Sequence, residues 1–335
     1  MARYLIVGGV AGGATAAARI RRLDEKADII LFERGEHISF ANCGLPYYIG
    51  GTIKERDRLF VTTADSFHKR YRVDIRPFNE VISIDKAAKK VRVKELKTGR
   101  EYEEGYDKLI LSPGAEPLRP PIPGIESDGI FTLRNVPDTD RIKSFIDTKN
   151  PQHAVVIGGG FIGVEMAENL SHRGIAVTLV EALDQVMTVL DYEMAAEVHA
   201  HIRSKKVQLI LKDGVKSFTK KGDKLVVELA SGRTIETGMV ILSIGVRPES
   251  SLAKAAGLEL TERGAIVVDA NLRTSDRNIY AVGDVIAFDY PLLKKKLSIY
   301  LAGPANKQGR IAADNAVLGD TRIYKGTIGT SVAKV

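Results

Sequence analysis

One cysteine, Cys43, occurs in 335 residues, and that scarcity excludes two designs at once. An internal disulfide framework needs at least two cysteines, and so does the dithiol pair of many disulfide reductases. Whatever sulfur chemistry Cys43 performs, its partner sulfur comes from another molecule. Long apolar runs are missing too. No stretch approaches the roughly 20 residues of a transmembrane helix, and the start, Met1-Ala2-Arg3-Tyr4-Leu5-Ile6-Val7, meets glycines before it could serve as a signal-peptide core. A cytoplasmic protein is expected, with no membrane partner. Concentrated charge of one sign is also lacking. The formal net charge of +7 is spread out, with small clusters at Arg19, Arg21 and Arg22 and at Lys294, Lys295 and Lys296, and no basic stripe interleaved with aromatics marks a nucleic-acid groove. A solvated mixed surface explains most of it, and an anionic small molecule is the partner that would gain. No metal site is assigned.

What is present is repetition. Residues 3–7 are an apolar run that ends in Gly8-Gly9-Val10-Ala11-Gly12-Gly13, followed by an alanine-rich helical stretch, Ala14 to Leu23, and a second apolar run, Asp28 to Glu33. Strand, glycine turn, helix, strand is the pattern of a dinucleotide-binding unit. A helix N-terminus at such a turn offers unpaired N–H groups to a pyrophosphate, and glycines let the ligand approach. Glu33, at the end of the second strand, is placed to accept hydrogen bonds from ribose hydroxyls. The middle glycine of the G-x-G-x-x-G spacing falls on Val10. Residues 154–157 then begin the pattern again, with Gly158, Gly160 and Gly163 in full register, a helix from Val164 to Arg173, a strand from Ala176 to Val180, and Glu181 at its end. A chance glycine cluster would have to arise twice in the same setting, so two nucleotide sites are expected.

Between the units, Arg72 to Val93 and Tyr102 to Leu111 alternate as short strands, and the proline-rich segment Pro117 to Pro123 reads as a linker. Strands continue through Val226 and Val240 to Ile244-Gly245-Val246-Arg247-Pro248. Tyr280-Ala281-Val282-Gly283-Asp284 then places an aspartate just past a strand, where it could reach a polyol or simply close a turn. At this length two domains are the prior. Cys43 itself lies in Ser39-Phe40-Ala41-Asn42-Cys43-Gly44-Leu45-Pro46. Alone, a free cysteine is more often a small buried hydrophobe than a nucleophile; the context here, a possible helix start where N–H groups and the dipole favour a thiolate, is the rival reading.

Together these stretches, with Leu111-Ser112-Pro113-Gly114 and Leu301-Ala302-Gly303-Pro304-Ala305-Asn306, resemble the flavin and pyridine-nucleotide disulfide oxidoreductases over the whole chain. Within that family the resemblance is to the single-cysteine branch of coenzyme A disulfide reductases and NADH-dependent persulfide reductases. It implies an α/β fold of two Rossmann-like domains, one for FAD and one for NAD(P)H, the second inserted into the first: 1–116 and 247–335 for FAD, 117–246 for NAD(P)H. Gly8, Ala11, Gly12, Glu33, Asn42, Val81, Ser112, Arg134, Asp284 and Ala302 match flavin-contacting positions, with Val10, Gly13 and Gly283 beside them. Gly160, Ile162, Gly163, Glu165, Glu181 and Gly245, with Gly158, match the nicotinamide-nucleotide positions. Thr15, Arg19, Arg22, Ser39 and Asn42 match positions that hold coenzyme A, and Arg19 and Arg22, three apart, would share a helix face as a phosphate clamp.

The implied activity passes electrons from NADH, with NADPH as the alternative donor, through FAD to Cys43, which reduces a coenzyme A disulfide, persulfide or polysulfide. Related peroxidases and oxidases carry a histidine near the first turn. No histidine lies between Met1 and Phe32, which favours a sulfur substrate over peroxide or dioxygen. Two alternatives stand: an oxidase or peroxidase cycling through a cysteine sulfenic acid, and a redox sensor or remnant without turnover. Tyr300 replaces a proline of the family pattern near the flavin. The family also forms homodimers through a further C-terminal domain that lends tyrosines to the partner's site. This chain stops at Val335 in an apolar stretch, Thr327 to Val335, that reads as a strand, so a fragment or truncated product is expected.

Overall fold

A computed structural model of the chain describes residues 1–293 and 295–334. Lys294, first of the three consecutive lysines, and Val335 lie outside the described residues. The chain forms two compact units. One comprises residues 1–40, 60–116 and 247–330, and the other residues 41–59, 117–246 and 331–334.

The first unit is built on a five-stranded parallel sheet. Arg3–Val7 is its central strand. Asp28–Glu33 and then Asp74–Pro77 lie on one side, and Lys108–Leu111 and then Ile279–Ala281 on the other. Parallel strands covered on both faces need continuous apolar runs. Leu5 and Ile6, Ile29 to Phe32, Leu109 to Leu111 and Ile279 to Ala281 supply them, all buried. The second unit repeats the plan with His153–Ile157 at the centre, Ala176–Val180 and Gln208–Ile210 on one side, and Met239–Leu242 and Ile130–Phe131 on the other. Its outermost strand comes from the chain ahead of the central one. In both sheets the winding reverses beside the central strand. Open α/β sheets bind their ligands at such points, beyond the strands' C-terminal ends. Both glycine turns leave the central strands at that point.

Small three-stranded antiparallel sheets carry the alternating stretches, Asn79–Asp85 with Lys90–Glu95 and Glu101–Gly105 in the first unit, and Val215–Lys221 with Lys224–Leu229 and Thr234–Thr237 in the second. The turn helices begin a turn earlier than the sequence predicts, at Ala11 and Phe161. In the first unit the long helix Ala302–Leu318 packs closely on Ala11–Leu23. A Cβ on Gly309 would lie 2.4 Å from the Gly12 carbonyl oxygen. Ala16, Ala312 and Ala313 are fully buried, and Arg19 to Asp314 at 2.6 Å ties the flank.

Two expectations are corrected. Residues 41–59, expected with the first glycine turn, pack in the second unit. The short helix Leu45–Ile49 buries Leu45 and Ile49 and lies against Val136–Lys149 and Phe161–His172. Arg173 donates to the Ile49 carbonyl at 3.1 Å, satisfying an orphan acceptor at that helix's end. Residues 327–334 form no strand, because their backbone joins no ladder. Among the described residues, no helix is long and apolar enough to cross a membrane.

Candidate active site and nucleotide turns

The two glycine turns are built alike. A Cβ on Gly8 would lie 2.1 Å from the Ser112 carbonyl oxygen, and one on Gly158 would lie 2.3 Å from that of Ser243. Both glycines also adopt positive φ, +93° and +102°, so no other residue fits. Gly13 and Gly163 serve the helix–strand approach: a Cβ there would fall 1.9 and 1.8 Å from the carbonyl oxygens of Gly8 and Gly158. Gly160 differs. A Cβ on it would meet nothing within 4 Å, so its smallness serves no protein neighbour and leaves room for a ligand backbone. Val10 occupies the matching place in the first turn. Both turn helices lack a side-chain cap, which leaves their first N–H groups for an anion.

Glu33 and Glu181 are equally matched. Glu33 accepts the Gly9 N–H at 2.9 Å on one oxygen and the Gly35 N–H at 2.8 Å on the other. Glu181 accepts Gly159 at 2.6 Å and Leu183 at 2.9 Å. An ionised carboxylate has about four acceptor sites, so each oxygen keeps capacity for a ribose hydroxyl while the backbone fixes its position.

Around the first turn the structure gathers Gly12, Ser112 and Gly283. A Cβ on Gly12 would lie 2.7 Å from Ser112 Oγ, and one on Gly283 would lie 3.6 Å from it. The Gly283 N–H donates to Gln308 Oε1 at 2.8 Å, and Asp284 follows in a single 3₁₀ turn. Ala11 lies in the first turn of its helix, and Ala302 opens the Ala302–Leu318 helix, exposed and with no side-chain cap. The Tyr300 phenol is pushed up by burial and then by the charge of Asp284. Val81 is buried within the core of this unit. Asn42 and Arg134 belong to the second unit, where Arg134 donates its N–H to Asp138.

The residues assigned to coenzyme A already have protein partners. Thr15 donates to Asn306 Oδ1 at 2.7 Å. Arg19 is held by Asp314, and Arg22 donates to the Tyr71 hydroxyl at 3.1 Å, so the two guanidiniums do not converge as a clamp in this conformation. Ser39 adopts φ +50° and ties the loop after Glu33 by donating its N–H to the Gly9 carbonyl.

Cys43 sits in a single 3₁₀ turn, Asn42–Gly44, and is exposed. Its thiol is pushed up by burial of its surroundings and then by the Glu165 carboxylate, against the pull of a backbone hydrogen bond. The expectation that the helix start favours a thiolate is therefore corrected. The helix that follows has only five residues, so its dipole is weak, and an acid on Phe161–His172 opposes it. Glu165 is itself raised by burial and by Glu168. Tyr47 is raised by burial, Glu165, Glu168 and Cys43, in that order. Two carboxylates on Phe161–His172 thus share one electrostatic cluster with the thiol and the phenol of the neighbouring segment. Glu168 is 8% exposed and pairs with Lys334 at 2.8 Å. Asn169 donates to the Glu165 carbonyl, and Gly50 is needed beside it, since a Cβ there would lie 2.2 Å from Asn169 Oδ1.

Replacing Glu165 by glutamine removes the charge and lowers the thiol pKa. Alkylation of Cys43 by iodoacetamide at neutral pH is expected to accelerate, tenfold for roughly each unit the pKa falls. An unchanged rate would show that the carboxylate does not act on the sulfur.

Sequence reasoning missed Ser243, Tyr47 and Glu168. Ser243 had a signal: Ile241-Leu242-Ser243-Ile244-Gly245 echoes Ile110-Leu111-Ser112-Pro113-Gly114, and both glycines adopt positive φ. Gly245 ends that second copy, and Ile162 and Glu165 lie in the first two turns of the Phe161–His172 helix.

Residues 2–309 match the family described as pyridine nucleotide-disulphide oxidoreductase. A coenzyme A disulfide reductase of Staphylococcus aureus is 36% identical over 334 residues, covering 100% of this chain and 75% of that protein. The solved structure of reduced Bacillus anthracis CoADR-RHD superposes with a TM-score of 0.97 at 56% identity, over 99% of this chain and 60% of that one. A NAD-dependent persulfide reductase from A. fulgidus gives 0.95 at 37% identity, over 99% and 62%. The chain thus spans about three-fifths of the length of these two solved relatives. With two Rossmann units, paired glycine turns and one exposed cysteine, the chain belongs to the pyridine nucleotide-disulphide oxidoreductase family, whose cofactors are FAD and NAD(P)H, on its single-cysteine side.

Proposed function

We propose that the protein is a flavoprotein reductase that takes electrons from NADH and delivers them to a coenzyme A disulfide, persulfide or polysulfide through Cys43. The observation that carries this reading is an exposed, lone cysteine on a segment packed against the helix of the second glycine turn. The first turn, with Glu33, Ser112, Gly283, Asp284 and the start of Ala302–Leu318, would hold FAD. The second, with Gly160, Gly163, Glu181 and Gly245, would hold the nicotinamide nucleotide. The cradles fit: the turn glycines are fixed by close backbone approach, and the space over Gly160 is open.

In this reading Cys43 Sγ attacks one sulfur of the substrate, displaces the other as a thiolate and is left in a mixed disulfide. Return of the cysteine to its thiolate takes two electrons, which FAD held at the first turn would relay from NADH. The displaced thiolate takes its proton from solvent, and Glu165, raised by burial and by Glu168, acts on the site through its charge on the Cys43 thiol. Exchange of Arg19 and Arg22 from Asp314 and Tyr71 to phosphates would admit the nucleotide end of coenzyme A. Glu181 supports NADH as the donor, because its charge is pinned at the strand end. A thiol that must cycle suits a reducing cytoplasm, and the small-molecule substrate needs no nucleic-acid or membrane partner. The assembly proposed is a homodimer. NADH oxidation should depend on coenzyme A disulfide or persulfide and release free thiol in proportion. Consumption of NADH with peroxide or dioxygen alone at the same rate would favour a sulfenic acid cycle instead.

A further inference from the structure

The loop after Glu181 is tied down by a titratable side chain. His199, on the helix Tyr192–Ser204, is 4% exposed, and its Nε2 accepts the Val186 N–H at 3.1 Å in a buried hydrogen bond. Accepting there places the ring proton on Nδ1. Val186 is fully buried and presses on Gly159, whose added Cβ would lie 2.7 Å from Val186 Cγ1. The next residue, Met187, adopts φ +50° and donates to the Gly159 carbonyl at 2.8 Å. Gly159 in turn donates to Glu181. The carboxylate, the turn and the loop thus form one closed circuit; the Lys212 N–H holds its start through the Leu183 carbonyl at 2.8 Å, and His199 anchors it at Val186. In the first unit the matching loop is joined to the following segment by the Phe40–Phe60 bridge, by the Val61 N–H on the Ser39 carbonyl and by the His37 ring against that of Phe60.

We propose that His199 is a positioning residue for nucleotide selection: by holding Val186 it fixes the loop that seats Glu181, and so sets affinity for NADH and discrimination against NADPH. The inference rests on the reading of the second unit as the nicotinamide-nucleotide site. A protonated His199 carries a donor where Val186 also presents one, so the bond exists only with the neutral ring. Burial, and then Arg203 on the same helix, hold the ring below its usual 6.5, while Asp184 from the loop opposes them. Tyr192 covers it edge-on, with ring centroids 6.4 Å apart. Because the folded pKa is depressed, the contribution is complete above the ordinary histidine range and is lost as pH falls through the lowered one.

The test is steady-state kinetics of the FAD-loaded protein with NADH and NADPH between pH 8 and 5, on the wild type, His199→Gln and His199→Leu, with FAD content and circular dichroism confirming folding. Glutamine keeps an acceptor and does not titrate. For the wild type, KM for NADH should rise about five- to tenfold towards the acid end, the scale of one hydrogen bond, with kcat little changed. His199→Gln should hold a flat KM near the wild-type value at pH 8. His199→Leu should show the raised KM at every pH and a smaller NADH to NADPH ratio. An acid limb that persists in His199→Gln, or a flat one in the wild type, would overturn the inference, as would wild-type selectivity in a folded His199→Leu. If His199→Leu does not fold, the glutamine comparison decides alone. Absence of NADH binding by the wild type would instead remove the reading of the second unit, and the inference with it.

Discussion

Replacing Cys43 by serine is expected to remove coenzyme A disulfide reduction by about three orders of magnitude or more, the scale on which losing a nucleophile is felt. FAD content and flavin reduction by NADH should persist. The split follows from the placement of the residue. Cys43 is exposed, lies outside both glycine turns, and braces neither central strand. Serine is nearly isosteric, so Leu45, Ile49 and Gly50 keep their packing against the second unit. What is lost is the ability to form a sulfur–sulfur bond. Stopped-flow flavin absorbance with NADH measures the retained half, and thiol release measures the lost half. If both halves fell together, Cys43 would be a structural residue. If neither fell, electrons would reach the acceptor without it.

Substituting Glu181 by alanine should lower the ratio of kcat/KM for NADH over NADPH at least about tenfold. A carboxylate about 4 Å from a 2′-phosphate costs several kcal/mol at an effective dielectric near 20, less after screening, and even about 1.4 kcal/mol is a factor of ten. The structure sharpens the expectation, because Gly159 and Leu183 hold both carboxylate oxygens in place. The charge therefore cannot swing away from a 2′-phosphate without breaking two hydrogen bonds. Steady-state kinetics with both nucleotides checks this. An equal loss for both would show that the carboxylate braces the loop and does not select the cofactor.

The features legible in the sequence are those whose physics is local. A glycine with positive φ, a helix that starts at it and a carboxylate ending the next strand lie close together along the chain, and each turn declares itself. The repeat at Ser112 and Ser243 is equally local, although the second copy has Ile244 where the first has Pro113. Less was visible around Cys43. Its acidity depends on burial and on Glu165, more than a hundred residues away in sequence, and on a helix too short to offset them. The same distance hid the packing of residues 41–59 in the second unit. Arg19 and Arg22 share a helix face as their spacing implies, yet Asp314 and Tyr71 claim them separately. His199 gave no signal, since a buried histidine has no motif until its hydrogen-bond partner is known.

The central claim is that Cys43 carries the substrate sulfur and NADH clears it. Intact-mass spectrometry of the FAD-loaded protein tests it in one series: after coenzyme A disulfide without NADH, and again after NADH is added. The expected result is an increment of one coenzyme A, mapped to the Cys43 peptide, that disappears with NADH and appears as free thiol. A protein that turns over coenzyme A disulfide with no adduct on Cys43, or an adduct that NADH does not release, would contradict it.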